Sequence, residues 1–278
     1  MTKRALIVLA AGAAALAASA ATALAGTTTV TPASMDGWAA VHDTCGAAST
    51  AATAFVTGPG SAPAGVGSVH LTIGSNGDSY ETLRSGAYNG TKLSDLTAFD
   101  YWTYETAFGS GSQAAYIDLY VYDGTTNDIL TFEPVYQGGA GTVSLATWQH
   151  WNAFGGQWWT DNGGGPPPFT TLSAYVAAHP NAIIRNDGQG NVVLATGCGG
   201  SAWTNFDGNA DKLTIGVKGA STTYDFEPTV GPPAGKSQCL KGGWRKFNNP
   251  RFKNQGQCVA YFNHHNGKGQ DDKHAHNR

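Results

Sequence analysis

Between Tyr116 and Tyr122 the chain reads YIDLYVY, and two kinds of chemistry alternate along it. Side chains of a strand point to opposite faces with period two. Ile117, Leu119 and Val121 therefore share one face, and Tyr116, Asp118, Tyr120 and Tyr122 the other. The first face is core. The second joins a carboxylate to phenols, too polar for an interior and too aromatic for an idle surface. Glu133 follows from the next run, on the side opposite Phe132. Flat rings pack on the apolar face of a pyranose, and planar polar groups take two hydroxyls at once, so these residue types suit a saccharide. The candidate ligand-binding residues are Asp118, Tyr120, Tyr122 and Glu133, with Tyr104 and Trp151 from flanking runs. The competing assignment for each aromatic is the core, because Met35 is the one methionine after Met1 and leucines are few.

A frame of strands must position these groups. Runs rich in β-branched and aromatic residues, bounded by Gly, Asn, Asp and Ser, predict strands over 55–57, 68–73, 80–83, 99–105, 117–122 and 129–136. Others fall within 142–151 and over 183–184, 192–196, 213–217 and 223–227. Which of the alternating sets Trp102/Tyr104 and Tyr101/Glu105 faces outward is open at this point. Asp207 to Asp211, with oxygens at alternate positions, reads as a turn. One helix is predicted over 171–178, with Thr170 as its cap and Pro180 barring continuation. Many short strands, one helix and abundant Gly predict an all-β fold, a two-layer antiparallel β-sandwich.

The first residues set the compartment. A basic start, an Ala-rich apolar run and small residues before Gly26 predict a secretory signal peptide over 1–25. No later apolar run reaches the roughly 20 residues that span a bilayer. A secreted, extracellular protein without a membrane span is the expectation. Between Gly26 and Gly235 seventeen Asp/Glu outnumber five Lys/Arg, whereas from Lys236 to Arg278 nine Lys/Arg outnumber two Asp/Glu. An acidic body with a basic end argues for two units, and against nucleic acid as the body's partner. The body is assigned to 26–229, a Gly/Pro linker to 230–237 and a small Cys-bounded basic module to 238–265. The polar end, from His264 on, reads as disorder, with 266–278 set apart as a tail. Four cysteines in an exported chain predict two disulfides, Cys239–Cys258 inside the module and Cys45–Cys198 across the body.

The segments LSDLTAFDYWTYET, AYIDLYVYDG, LTFEPVY, WQHWNAFGGQWW, NFDGNADKLTIGV and TTYDFEP make the body, over about 36–227, resemble secreted actinobacterial jelly-roll domains. These are similar in plan to carbohydrate-binding modules and lectin-like sandwiches. The segment CLKGGWRKF…FKNQGQCVAY resembles a short Cys-bounded piece found at the C-termini of exported bacterial proteins. The first resemblance implies a jelly-roll topology and a structural Ca2+. Asp36, with Asp225 or Glu227, would be its ligands. Neither resemblance brings catalytic residues. The E-x-D-x-x-E strand of laminarinase-like hydrolases is absent, as are the R-x-E-L-R and Q-I-H patterns of jelly-roll alginate lyases; Glu81-Thr82-Leu83-Arg84 is a faint echo. The expected function is non-catalytic binding of a polysaccharide or cell-wall glycan. A structural or adhesive protein and a glycan-cleaving enzyme, with Asp118 and Glu133 as its carboxyl pair, are the alternatives.

Overall fold

The computed structural model describes residues 25–45, 50–138 and 141–266. The expected signal peptide, apart from Ala25, and the chain from 267 onward lie outside the described residues. The fold is all-β, with two seven-stranded sheets.

The first sheet runs in the order β1 (Ala25–Val30), β14 (Ala220–Phe226), β13 (Asp207–Val217), β4 (Gly67–Ile73) and β3 (Ala51–Thr57). Beside β13 it adds β6 (Leu96–Ala107), which pairs in turn with β9 (Gln149–Asn152). The second sheet runs β10 (Trp159–Thr160), β8 (Asn127–Phe132), β7 (Tyr116–Tyr122), β12 (Val192–Gly197), β5 (Ser79–Ser85) and β2 (Trp38–Thr44). The two-residue β11 (Ile183–Ile184) also pairs with β7.

The alternation in β7 is obeyed: Ile117, Leu119 and Val121 are fully buried between the sheets. They share one core with Leu83, Leu130 and Phe132 of their own sheet and Val69, Leu71, Phe99, Tyr101, Leu213, Ile215 and Phe226 of the other. Tyr101 meets Phe132 edge-on across the sheets, with ring centroids 6.1 Å apart. In β6 the inward set is Phe99, Tyr101, Thr103 and Glu105, which leaves Trp102 and Tyr104 on the outer face.

Several elements differ from the sequence expectation. No strand is predicted before residue 55, yet Ala25–Val30 forms β1, and its pairing with β14 is parallel whereas the other strand pairs among the described residues are antiparallel. Thr-rich β1 has no apolar alternation of its own, and a partner nearly the whole chain away supplies its hydrogen bonds. The strand expected over 129–136 ends at Phe132, because Pro134 opens a short 3-10 turn. Asp207–Asp211 is strand rather than turn; Asp211 is buried and accepts from the backbone N–H of Ala64 and Phe226. The helix α1 (Leu172–Ala178) is capped by Thr171, not Thr170: its hydroxyl oxygen accepts from the N–H of Ala174 at 3.1 Å.

The C-terminal module holds two 3-10 turns and α2 (Gln255–Asn266), so His264 to Asn266 are helical rather than disordered. Cys239, Phe247, Phe252 and Cys258 form its own small core. Asn248 docks the module on the body, accepting from the Val230 N–H and donating to the Pro228 carbonyl, both at 2.7 Å. The expected disulfides are both present, Cys45–Cys198 and Cys239–Cys258. Among the described residues no helix is long and apolar enough to cross a membrane.

Candidate functional site

The register of the second sheet builds a row across its outer face. Arg84 of β5 pairs with Val193 of β12, Val193 with Asp118 of β7, Asp118 with Thr131 of β8, and Thr131 with Trp159 of β10. Neighbouring strands lie about 4.8 Å apart, so this row spans roughly 19 Å. Val193, fully buried, packs in a small cluster with Tyr80, Tyr116 and Trp203. Above it opens a cleft of about 670 Å³, within the range of saccharide and small-ligand sites. Loops raise its walls: Tyr136 and Pro166 near β10, and Cys45, Cys198 and Trp203 at the opposite end.

Asp118 stands in the floor, 6% exposed. It accepts from the Thr131 hydroxyl at 2.6 Å and from the Tyr80 hydroxyl at 2.8 Å. Burial lifts its carboxyl to about 6, against those two donors, which favour the ionised form. Glu133, just past the end of β8, accepts from the Trp159 indole N–H at 2.8 Å. Burial lifts it to about 7; the indole opposes the shift, and the charge on Asp118 adds to it. Strand pairing places Asp118 and Glu133 on adjacent strands in diagonal register, about 7–8 Å apart at the backbone. Two carboxyls titrating near neutrality on one open face can exchange protons with a ligand as acid or base.

Phenols line the rest. Tyr80 and Tyr120 lie with their hydroxyl oxygens 3.3 Å apart, and Tyr116 packs on Trp203 with centroids at 5.4 Å. Burial drives the Tyr80, Tyr116 and Tyr120 hydroxyls upward, so these phenols act as neutral donors and acceptors. Gln113, 8% exposed, also lines the cleft, and its side-chain carbonyl oxygen has no partner.

Of the residues singled out from sequence, Asp118, Tyr120 and Glu133 come together here. Tyr122 does not line the cleft; at the end of β7 it donates to the carbonyl of Gly124 in its own turn. Tyr104 faces outward but on the other sheet, its ring 5.5 Å from that of Trp148. Trp151 is core: 7% exposed, it donates to the Thr103 hydroxyl between the sheets. Tyr80, Arg84 and Gln113 escaped the sequence reading as site residues. The alternation of Tyr80, Thr82 and Arg84 in SYETLRS was the available signal, but only the pairing through β12 brings that strand beside β7.

The expected calcium ligands do not converge. Asp36 is exposed in a turn with a left-handed backbone, φ 49°. Asp225 and Glu227 line a second cavity together, of about 560 Å³, beneath the C-terminal module, and the buried Oδ1 of Asp225 has no hydrogen-bond partner. Burial raises both carboxyls, and Glu227 already accepts from the N–H groups of Val66 and Gly67. Among the described residues no three His, Cys, Asp or Glu side chains are grouped to hold an ion.

Compared with known proteins, the chain matches no family model, no curated protein and no solved structure.

Proposed function

We propose that this is a secreted protein that binds a glycan, without cleaving it, in the cleft on the outer face of the second sheet. The observation that carries the reading is the convergence of Asp118, Tyr120 and Glu133 with Tyr80 and Trp159 around one open hollow. Rings supply platforms for a pyranose face, and carboxyls already held by hydroxyl and indole donors are fixed in place for sugar hydroxyls. Export to an oxidising compartment is supported by the two disulfides and the absence of free cysteine among the described residues.

The test is retention of the full chain on immobilised polysaccharides. Tyr120→Ala and Trp159→Ala each weaken binding by about tenfold or more, the effect of truncating a central aromatic anchor. Tyr104→Ala, on the other sheet, leaves it unchanged. Loss in Tyr104→Ala with full retention in the two cleft variants would move the site to the opposite sheet. Release of reducing ends that stops in Asp118→Asn or Glu133→Gln would make the cleft hydrolytic instead.

A further inference from the structure

The body holds five Lys/Arg between Gly26 and Gly235, and two of them meet at the Tyr120 ring: Arg84, which lines the cleft, and Arg185, which lies against that ring from outside the cleft lining. The Arg84 guanidinium lies 5.5 Å from the Tyr80 ring centre and 5.8 Å from that of Tyr120; the Arg185 guanidinium lies 4.7 Å from Tyr120. Neither has an acidic partner. Among the described residues the ion pairs involve histidines and Lys218, and no arginine is within ion-pair distance of a carboxylate. Arg84 spends one N–H on the Thr82 hydroxyl at 2.8 Å, and the buried Nε of Arg185 has no hydrogen-bond partner. In a chain segment so rich in Asp and Glu, two unpaired guanidinium groups beside one phenol are an exception that local ion pairing does not explain. Stacking on a ring uses the face of a guanidinium and leaves its N–H edge free, and that edge matches a carboxylate in its own plane.

We infer that the saccharide held in the cleft is acidic, a uronate whose carboxylate lies against Arg84 and Arg185 beside the Tyr120 ring; the inference rests on the glycan reading of the cleft. These arginines act through space on Asp118, Asp161 and Asp187, and Asp43 lines the same cleft as Arg84. Asp118 and Glu133 are lifted to about 6 and about 7, so at pH 7 Glu133 is about half protonated, and both carboxyls already accept from donors of the protein, Asp118 from Thr131 and Tyr80 and Glu133 from Trp159. Gln113 and the phenols are left for the ring hydroxyls.

Calorimetric titration of the full chain at pH 7 and low salt separates the possibilities. The probes are trimers of galacturonate, mannuronate and glucuronate, each beside its own methyl ester, with cellotriose, chitotriose and a sulfated galactan trimer. At least one uronate trimer binds tenfold or more tightly than its ester. Arg84→Gln and Arg185→Gln each weaken the acid by about tenfold to a hundredfold and leave the ester unchanged, the effect of losing a charge-assisted hydrogen bond. Arg185→Gln alters a partly buried side chain in the segment after β11, away from the strands that carry the row, so it reads the same effect should Arg84→Gln fail to fold. Equal affinity for acid and ester, or binding of the neutral or sulfated trimers alone, overturns the uronate and leaves glycan binding standing. Binding of none overturns both.

Discussion

Glu105→Gln gains stability on the native chain by about 1.4 kcal/mol for every pH unit between roughly 4.5 and 8. Glu105 is fully buried on the inner face of β6, and neither of its carboxyl oxygens has a hydrogen-bond partner. Burial lifts it from an ordinary 4.5 to about 8. In that window the unfolded chain releases the proton and the folded chain keeps it, so folded stability falls as pH rises and levels off above 8. The cumulative difference between glutamate and glutamine approaches about 5 kcal/mol, a large part of a domain's whole stability. Asp118, Glu133 and Asp211 are lifted to about 6, 7 and 7 and slope the same way, so the variant keeps a shallower dependence of its own. Urea unfolding of both proteins from pH 4 to 9 measures the difference directly. Parallel profiles would mean that Glu105 ionises in the fold as it does in water.

The double variant Cys45→Ser/Cys198→Ser comes next in size. The bridge joins positions 153 residues apart, and a loop of that length contributes about 5 kcal/mol in the chain-entropy description. In thermal unfolding this is a fall of about 10–20 °C for a chain of this size. The bridge also ties the end of the edge strand β2 to the loop after β12, and both cysteines border the cleft. Binding weakens in the double variant even where it remains folded. A thermal midpoint within two or three degrees of the native chain would show that the fold holds those ends together without the bridge.

Much of this frame is legible in the sequence, for local reasons. YIDLYVY gives its own two faces, and β7 buries the three residues its alternation requires. The cysteines pair as their positions suggest. What failed was non-local. β1 carries no apolar pattern, and only its remote partner β14 makes it a strand. β2, WAAVHDT, is an edge strand with largely exposed alanines, so its residues show no strand signature. The candidate site was half visible because Asp118 and Tyr120 share a strand, whereas Arg84 and Tyr80 reach them only through β12. Trp151 misled because β9 is four residues long, too short to show which way an aromatic turns. Tyr104 does face outward, but from the sheet that does not carry the cleft.

The chain's eight tryptophans make the location of binding directly readable. Trp159 and Trp203 line the cleft, Trp102 and Trp148 sit on the opposite sheet or against it, Trp38, Trp151 and Trp158 are core, and Trp244 belongs to the C-terminal module. The decisive measurement is a titration of the 15N-labelled protein with a retained oligosaccharide, following the indole N–H resonances. Ligand in the cleft shifts the Trp159 signal, whose proton is held by Glu133, with Trp203 next and Trp102 and Trp148 unmoved. Movement of Trp102 and Trp148 with Trp159 left in place would contradict it.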